Sequence, residues 1–251
     1  MNLTVSNLHY QLGKKTLLRD ISFALEKGER VALIGPNGCG KSTLLRLICG
    51  LNKPSSGHIA LDDIAVQHYP RRTLAQHLSF VQQKATTEEL VKAEDAVALG
   101  RTPWIKAFER WSTAHQSHVD HALEKVSMTH KRHQHWHTLS GGEQQRLHIA
   151  RALAQNTPFI VMDEPTNHLD IKQQMMVLSL IENIQRTMLV AVHDLNHALR
   201  FDRIIAMKDG RLIAYGKPSD LISEAFILEL FDVHSRIIRS PDHPPHIQLL
   251  N

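Results

Sequence analysis

Cysteine is scarce in this chain: two residues, Cys39 and Cys49, among 251. If the Gly-rich stretch around them opens a helix near Gly40, the pair lies roughly 14 Å apart along it, at ~1.5 Å per residue. A disulfide tolerates Cα atoms at most ~7 Å apart, so both are expected to be free thiols, as in a reducing compartment. Long apolar runs are missing too. The longest, "MLVAV" at Met188 to Val192, falls far short of the ~20 residues of a membrane span. The first residues, "MNLTVSNLHYQ", lack the basic start and apolar stretch of a secretory signal. No block of one charge sign occurs: the net charge is +4, scattered apart from "YPRRT" and "HKRH". A nucleic-acid footprint would concentrate that charge in a stripe, so no nucleic-acid partner is expected. These absences point to a cytoplasmic chain whose membrane role, if any, is peripheral.

Apolar residues make up 42% of the sequence, enough to bury a large core in one domain or two lobes. "NLTVSNLHYQL" and "LLRDISFALEKGE" read as strands split by the turn "GKK". "RVALIG" is a compact apolar run of the buried-strand type. "KSTLLRLICGL" has helical spacing and Gly50 as a stop. "HIALDD" resumes a strand. From Lys84 to Gln155 the period turns helical, with "EELVKAEDAVALG" and "HVDHALEKVSM" amphipathic. "TPFIVMDEP" and "RTMLVAVHD" are buried strands around the helix "KQQMMVLSLIENI", an order that argues for a parallel α/β sheet. "RIIAMKDGRLIAYG" is a hairpin turning at Asp209-Gly210. The tail reads as a helix, "SDLISEAFILELF", then an extended segment.

Four segments carry chemistry. "GPNGCGKST" comprises Gly35, Pro36, Asn37, Gly38, Cys39, Gly40, Lys41, Ser42 and Thr43. It matches the G-x-x-x-x-G-K-[ST] phosphate loop, between a strand and a helix as the motif requires. Gly38 and Gly40 let backbone N–H groups curl toward phosphates, and the helix N-terminus adds partial positive charge. Lys41 reaches the β- and γ-phosphates, and Ser42 can ligate Mg²⁺. Cys39, beside Lys41 and a helix N-terminus, is expected to be the more reactive thiol. "FIVMDEP" ends a buried strand in Asp163, suited to Mg²⁺, and Glu164, placed to polarise an attacking water. "LVAVHD" ends another strand in His193, a candidate γ-phosphate contact.

The fourth segment, "SGGEQQRLHIARALAQ", is a second anion site that one nucleotide does not need. Ser140-x-x-Glu143 is a capping-box spacing. Ser140, Gly141, Gly142 and Glu143 therefore open a helix whose N-terminus can face an anion. The economical reading is that it serves ATP held by another copy of the chain.

"LSGGEQQR" with "GPNGCGKST", "VMDEP" and "AVHD", in this order, resembles the ATP-binding subunits of ABC transporters. The resemblance implies a P-loop NTPase of α/β class: a RecA-like core with an antiparallel β subdomain and an inserted helical subdomain. The whole chain is then one ATP-binding domain, with the core over 1–83 and 156–251 and the helical subdomain over 84–155. It also implies ATP and Mg²⁺ as cofactors, a head-to-tail homodimer, integral membrane permease partners and, indirectly, a substrate-binding protein. The chain would sit on the cytoplasmic face of the membrane. Gln83 matches the hinge glutamine that senses Mg²⁺ and the permease, and Asp170 the aspartate that contacts the opposing copy. The family's adenine-stacking aromatic is not in register. Leu12 precedes Gly13, and Tyr10 lies two residues earlier, on the same face if the strand alternates. Either Tyr10 reaches the base or Leu12 gives an apolar contact. "RRTLAQHLSFVQQ", "AVALGRTPW" and "NHLDIKQQ" are similar to importer subunits serving iron chelates, haem and cobalamin.

The ATP motifs are shared with exporters and other importer classes, and with DNA-repair and ribosome-associated ATPases. Repair ATPases insert long coiled coils where this chain has 55 residues between Gln83 and Leu139, and ribosome-associated members usually carry two cores. Trp104 and Ile105 belong either to an exposed apolar patch or to the core. Eighteen histidines, with His115, His118 and His121 three apart and His130, His133, His135 and His137 clustered, could build a zinc site. No cysteine or carboxylate is interleaved in a ligand pattern, so a solvated helix face and loop are expected.

Overall fold

Alternating apolar residues carry the start of the chain into a hairpin. Strand β1 (Leu3–Leu12) pairs antiparallel with β2 (Lys15–Leu25), turning after Leu12, which faces Lys15. The computed structural model describes residues 1–83, 91–239 and 245–250. β3 (Arg30–Ile34) is apolar throughout after its first residue and buried there, and helix α1 (Lys41–Ile48) follows the glycine-rich loop. α1 buries Leu44, Leu45, Leu47 and Ile48 and ends at Cys49, before Gly50 at φ 67°. β4 (Ser56–Leu61) and the short β5 (Ile64–Ala65) complete an antiparallel sheet ordered β2-β1-β4-β5.

The next segment is mostly helical. It runs α2 (Arg71–His77), β6 (Leu78–Val81), α3 (Ala93–Ala98), α4 (Thr113–Lys125), α5 (Gly141–Gln155), β7 (Phe159–Asp163) and α6 (Ile171–Glu182). α5 packs on α3 and α4, burying Leu147, Ile149 and Ala150 with Val97, Val119 and Leu123. β6 and β7 pair in parallel, Leu78 opposite Phe159 and Val81 opposite Met162. The chain then returns through β8 (Thr187–Ala191), α7 (Leu195–Ala198), β9 (Arg203–Lys208), β10 (Arg211–Gly216), α8 (Pro218–Leu221), α9 (Glu224–Phe231), β11 (Ser235–Ile238) and β12 (His246–Leu249). β3 runs parallel to both β8 and β9, and β10 turns back on β9 at Asp209-Gly210, both at positive φ. That turn geometry is the type expected of a two-residue hairpin.

Two compact units result: Met1–His68 with Arg186–Asn251, and Tyr69–Gln185. This division differs from the motif boundaries at 83/84 and 155/156, because β6 and β7 pair with each other and α5 packs on β6. Two local expectations need correction. Of "EELVKAEDAVALG", residues 88–90 lie outside the described residues, and the helix covers only Ala93–Ala98 before a tighter 3₁₀ stretch containing Pro103. Proline cannot continue an α-helix. The tail helix is two helices, broken at Ile222 and restarted by Ser223, whose hydroxyl accepts from the Phe226 N–H at 3.1 Å.

Candidate active site

The phosphate loop is built by its glycines. Gly38 and Gly40 hold φ of 78° and 107°, values that a Cβ would strain. Lys41 starts α1 and is 95% buried, with 5% exposure. Its ammonium donates to the Gly35 carbonyl at 2.8 Å and the Pro36 carbonyl at 3.4 Å, lying back along its own loop. No acidic residue stands in the first turn of α1 and no side chain caps it, so the positive end of the helix is left to an anion. Ser42 and Thr43 are half-buried on that turn, while Asn37 and Gly38 are exposed.

At Cys39 burial works against the thiolate that Lys41 and the helix N-terminus favour. Its side chain is buried, and burial pushes the thiol above its ordinary value, with Lys41 pulling the other way less strongly. Spacing alone favours the thiolate; the packed loop favours the thiol. Neither cysteine is in a disulfide, as expected.

His193 lies two residues past β8 and is exposed. Together with Gly35, Pro36 and Asn37 it lines a cavity of about 420 Å³ in the first unit. The fold thus brings the third motif to the first. α7 begins just beyond it, capped by the Asp194 carboxylate, which accepts from the Asn196 N–H at 2.8 Å. The Asn196 side chain pairs with both backbone groups of Ile247 in β12, at 2.7 and 3.0 Å.

The second unit holds the acidic motif. Asp163 is buried at the end of β7. Glu164 follows in the left-handed region at φ 48°, unusual for a residue with a long side chain. The side-chain amide of Gln83 donates to Glu164 Oε2 at 2.7 Å, and that of Asn167 donates to the same oxygen at 3.0 Å. Sequence reasoning named Gln83 and Glu164 separately and passed over Asn167. The one signal for it was an asparagine three residues beyond a strand-end acid. Asp170 is the N-cap of α6, accepting from the Gln173 N–H at 2.8 Å, and is exposed.

The capping box at α5 is complete. The Glu143 N–H donates to Ser140 Oγ at 3.4 Å, and the Ser140 N–H donates to Glu143 Oε2 at 2.9 Å. Glu143 also pairs with Lys131. Burial raises its carboxyl, but Lys131 and Ser140 outweigh that and hold it below the usual range. Ser140 and Gly141 are exposed, whereas Gly142 is buried against Gln173. A Cβ on Gly142 would stand 2.7 Å from the Gln173 side chain, so any side chain there requires Gln173 to move.

The adenine alternatives change. β1 has register shifts between Leu8 and Tyr10 and between Tyr10 and Gln11, so simple alternation does not carry from Tyr10 to Leu12. Leu12 is 64% exposed and Tyr10 half-buried. The histidines also divide. His115 is buried, with Nδ1 3.4 Å from Arg101 Nε, while His118 is half-buried and His121 exposed. Three-residue steps on a 3.6-residue helix rotate away from one face. His130, His133, His135 and His137 are exposed, and among the described residues no three His, Cys, Asp or Glu side chains are poised for a metal. Trp104 is tethered rather than free: its indole donates to the Gln155 carbonyl at 2.6 Å under the Arg101 guanidinium.

Among the described residues, no helix is long and apolar enough to cross a membrane. The family model described as "ABC transporter" matches residues 18–167. The ferric enterobactin transport ATP-binding protein FepC of Escherichia coli (strain K12) is 37% identical over 234 residues, 91% of this chain and 86% of that protein. The hemin import ATP-binding protein HmuV of Rhodopseudomonas palustris (strain BisA53) is 37% identical over 250 residues, 95% of this chain and 90% of that protein. A solved metal-chelate type ABC transporter in an inward-facing conformation superposes with a TM-score of 0.85 at 26% identity, covering 99% of this chain and 97% of that one. With the phosphate loop, the acidic strand end and the capped signature helix in place, the chain belongs to the ABC transporter family and is one of its ATP-binding ATPases.

Proposed function

We propose that this chain powers the import of an iron chelate or haem, hydrolysing Mg-ATP as a head-to-tail homodimer on the cytoplasmic face of a membrane, docked on integral permease subunits. Cobalamin belongs to the same substrate range. The import reading rests on relatives that span nearly the whole chain and are named for ferric enterobactin and hemin transport. The dimer reading rests on one observation: Ser140 and Gly141 present an exposed, capped helix N-terminus in addition to the phosphate loop.

In this reading the loop from Gly35 to Thr43 holds the phosphates of one ATP, and Ser140, Gly141 and Gly142 of the other copy close over it, with Asp170 at the same interface. Tyr10 is the candidate for the base. Ser42, Asp163 and Gln83 suit Mg²⁺. All three offer oxygen donors, Asp163 is a buried carboxylate, and Gln83 spends its N–H end on Glu164, which leaves its carbonyl for a cation. Bound Mg²⁺ would neutralise developing phosphate charge. Glu164 polarises the attacking water, and His193 contacts the γ-phosphate. The segment 84–155, joined to Glu164 through Gln83, passes the change on γ-phosphate loss to the permease.

Two experiments test this. Tagged chain purified from solubilised membranes should bring down an integral membrane chain, and its absence would refute the transporter assignment. Mixing a Lys41→Ala chain with a Ser140→Arg chain should restore hydrolysis through one complete composite site. Full turnover by strictly monomeric protein would overturn the trans arrangement.

A further inference from the structure

We propose that Asn167 is a positioning residue for ATP hydrolysis, holding the Glu164 carboxylate in the orientation from which it polarises water; this rests on the role assigned to Glu164. Asn167 uses both ends of its amide. Its Oδ1 accepts from the His168 N–H at 2.9 Å, and its Nδ2 donates to Glu164 Oε2 at 3.0 Å. A backbone N–H can only donate, so the first bond dictates which end of the amide faces His168. The donor end is thereby committed to Glu164.

The turn around it is closed and strained. The Asn167 N–H donates to the Glu164 carbonyl at 3.1 Å, and Glu164 and His168 both sit in the left-handed region, at φ 48° and 61°. Such conformations persist when the surroundings over-determine them, and they gather at functional sites. The terminal torsion of a glutamate is broad, with no strong preferred rotamer. Two N–H donors on one oxygen, Gln83 at 2.7 Å and Asn167 at 3.0 Å, remove that freedom.

The two donors are not equivalent. Gln83 is exposed and comes from a distant part of the sequence, so a movement there breaks its bond. Asn167 stands three residues from Glu164 on the same turn, so its bond travels with the carboxylate. Asn167 is therefore the constant partner and Gln83 the conditional one.

Asn167→Asp separates this role from mere turn formation. It keeps the Oδ1 acceptor for His168 but replaces the donor with a second carboxylate facing Glu164. The readout is steady-state phosphate release by the full chain with Mg-ATP, for wild type, Asn167→Asp, Asn167→Ala, Glu164→Gln and Glu164→Gln/Asn167→Asp. Loss of orientation costs part of the ~10²–10⁴-fold worth of a positioned base, so we expect kcat to fall about 10-fold or more in both single Asn167 variants. KM for ATP should stay unchanged, because Asn167 acts through Glu164. The Asp variant should recover relative to wild type as pH falls into the carboxylate range, where a shared proton restores a donor. In the Glu164→Gln background the second substitution should add no further loss. Wild-type kcat in Asn167→Asp, or additive losses in the double variant, would overturn the proposal while leaving Glu164 in place if Glu164→Gln alone is slow. Wild-type turnover by Glu164→Gln would instead overturn the Glu164 assignment and this proposal with it.

Discussion

The two glycines that open α5 make different demands, and exchanging each for alanine separates them. Gly141 and Gly142 open α5, and neither needs a positive φ. A Cβ on Gly141 meets nothing within 4 Å, whereas one on Gly142 lies 2.7 Å from Cγ, Cδ and Oε1 of Gln173. For Gly141→Ala the only term is helix propensity, a gain of up to about 1 kcal/mol and smaller so near the N-terminus. For Gly142→Ala the same gain is opposed by the displacement of the flexible, half-buried Gln173 side chain, which falls at the low end of the about 1–3 kcal/mol cost of overpacking, for a net loss of at most about 1 kcal/mol. Gln173 Oε1 is buried without a hydrogen-bond partner, so truncating Gln173 sacrifices no bond at that atom. Gly142→Ala/Gln173→Ala should therefore recover most of the loss. The assay is thermal unfolding of the full chain, where 1 kcal/mol corresponds to roughly 2–4 °C for a chain of this size. Equal destabilisation by the two alanines, or no recovery in the double variant, would show that Gln173 is not what excludes a side chain at position 142.

Glu164→Gln should bind ATP with wild-type affinity yet lose about 10²–10⁴-fold in turnover, equivalent to about 3–5.5 kcal/mol of barrier. Its carbonyl can still accept from Gln83 and Asn167, so a melting temperature far below wild type would signal a structural role instead. Cys39 should react with maleimide more slowly than an unburied thiol and accelerate only as pH climbs past the ordinary thiol range. Its raised value favours the neutral form in the fold, so its contribution to stability declines above that range; alkylation of folded protein at the rate of free cysteine would refute the burial argument. Arg132 bridges Glu94 and Asp120 at 2.9 and 2.8 Å, and Arg132→Ala should cost about 1 kcal/mol at pH 7. Both carboxyls end below their ordinary values, Glu94 because Arg132 and His133 outweigh burial, Asp120 through Gln116 and Arg132. Their stabilisation is present above the unfolded carboxylate values and lost as pH falls through the folded ones, so denaturant midpoints of wild type and variant should converge in acid. A gap that stays constant with pH would argue against the ion pairs.

Local motifs were legible because their chemistry is local. A phosphate loop needs its glycines and lysine within nine residues, and α5 begins at the Ser140-x-x-Glu143 box as read, with both bonds of the box formed. Strands with continuous apolar runs, such as Val31 to Ile34 and Phe159 to Met162, are buried as their composition requires. Errors arose where neighbours outside the local pattern decided. The bulges around Tyr10 come from pairing with β2, which no single-strand alternation reveals. His115 is buried by packing among Arg101, Glu109 and Trp111, while His121 on the same helix is solvated.

By itself, the sequence determined the nucleotide chemistry, the family and the order of elements, because each depends on residues at short, fixed spacing. Tertiary structure decided what those residues touch. It buried the Cys39 thiol that spacing would have ionised, laid Lys41 along the loop carbonyls, and set His193 beside Gly35 in one cavity. It also brought Gln83, 81 residues away in the chain, onto the same carboxylate oxygen as Asn167. The physical reason is that burial and hydrogen bonding act through space over a few ångströms, and only the folded chain sets which distant residues come that close.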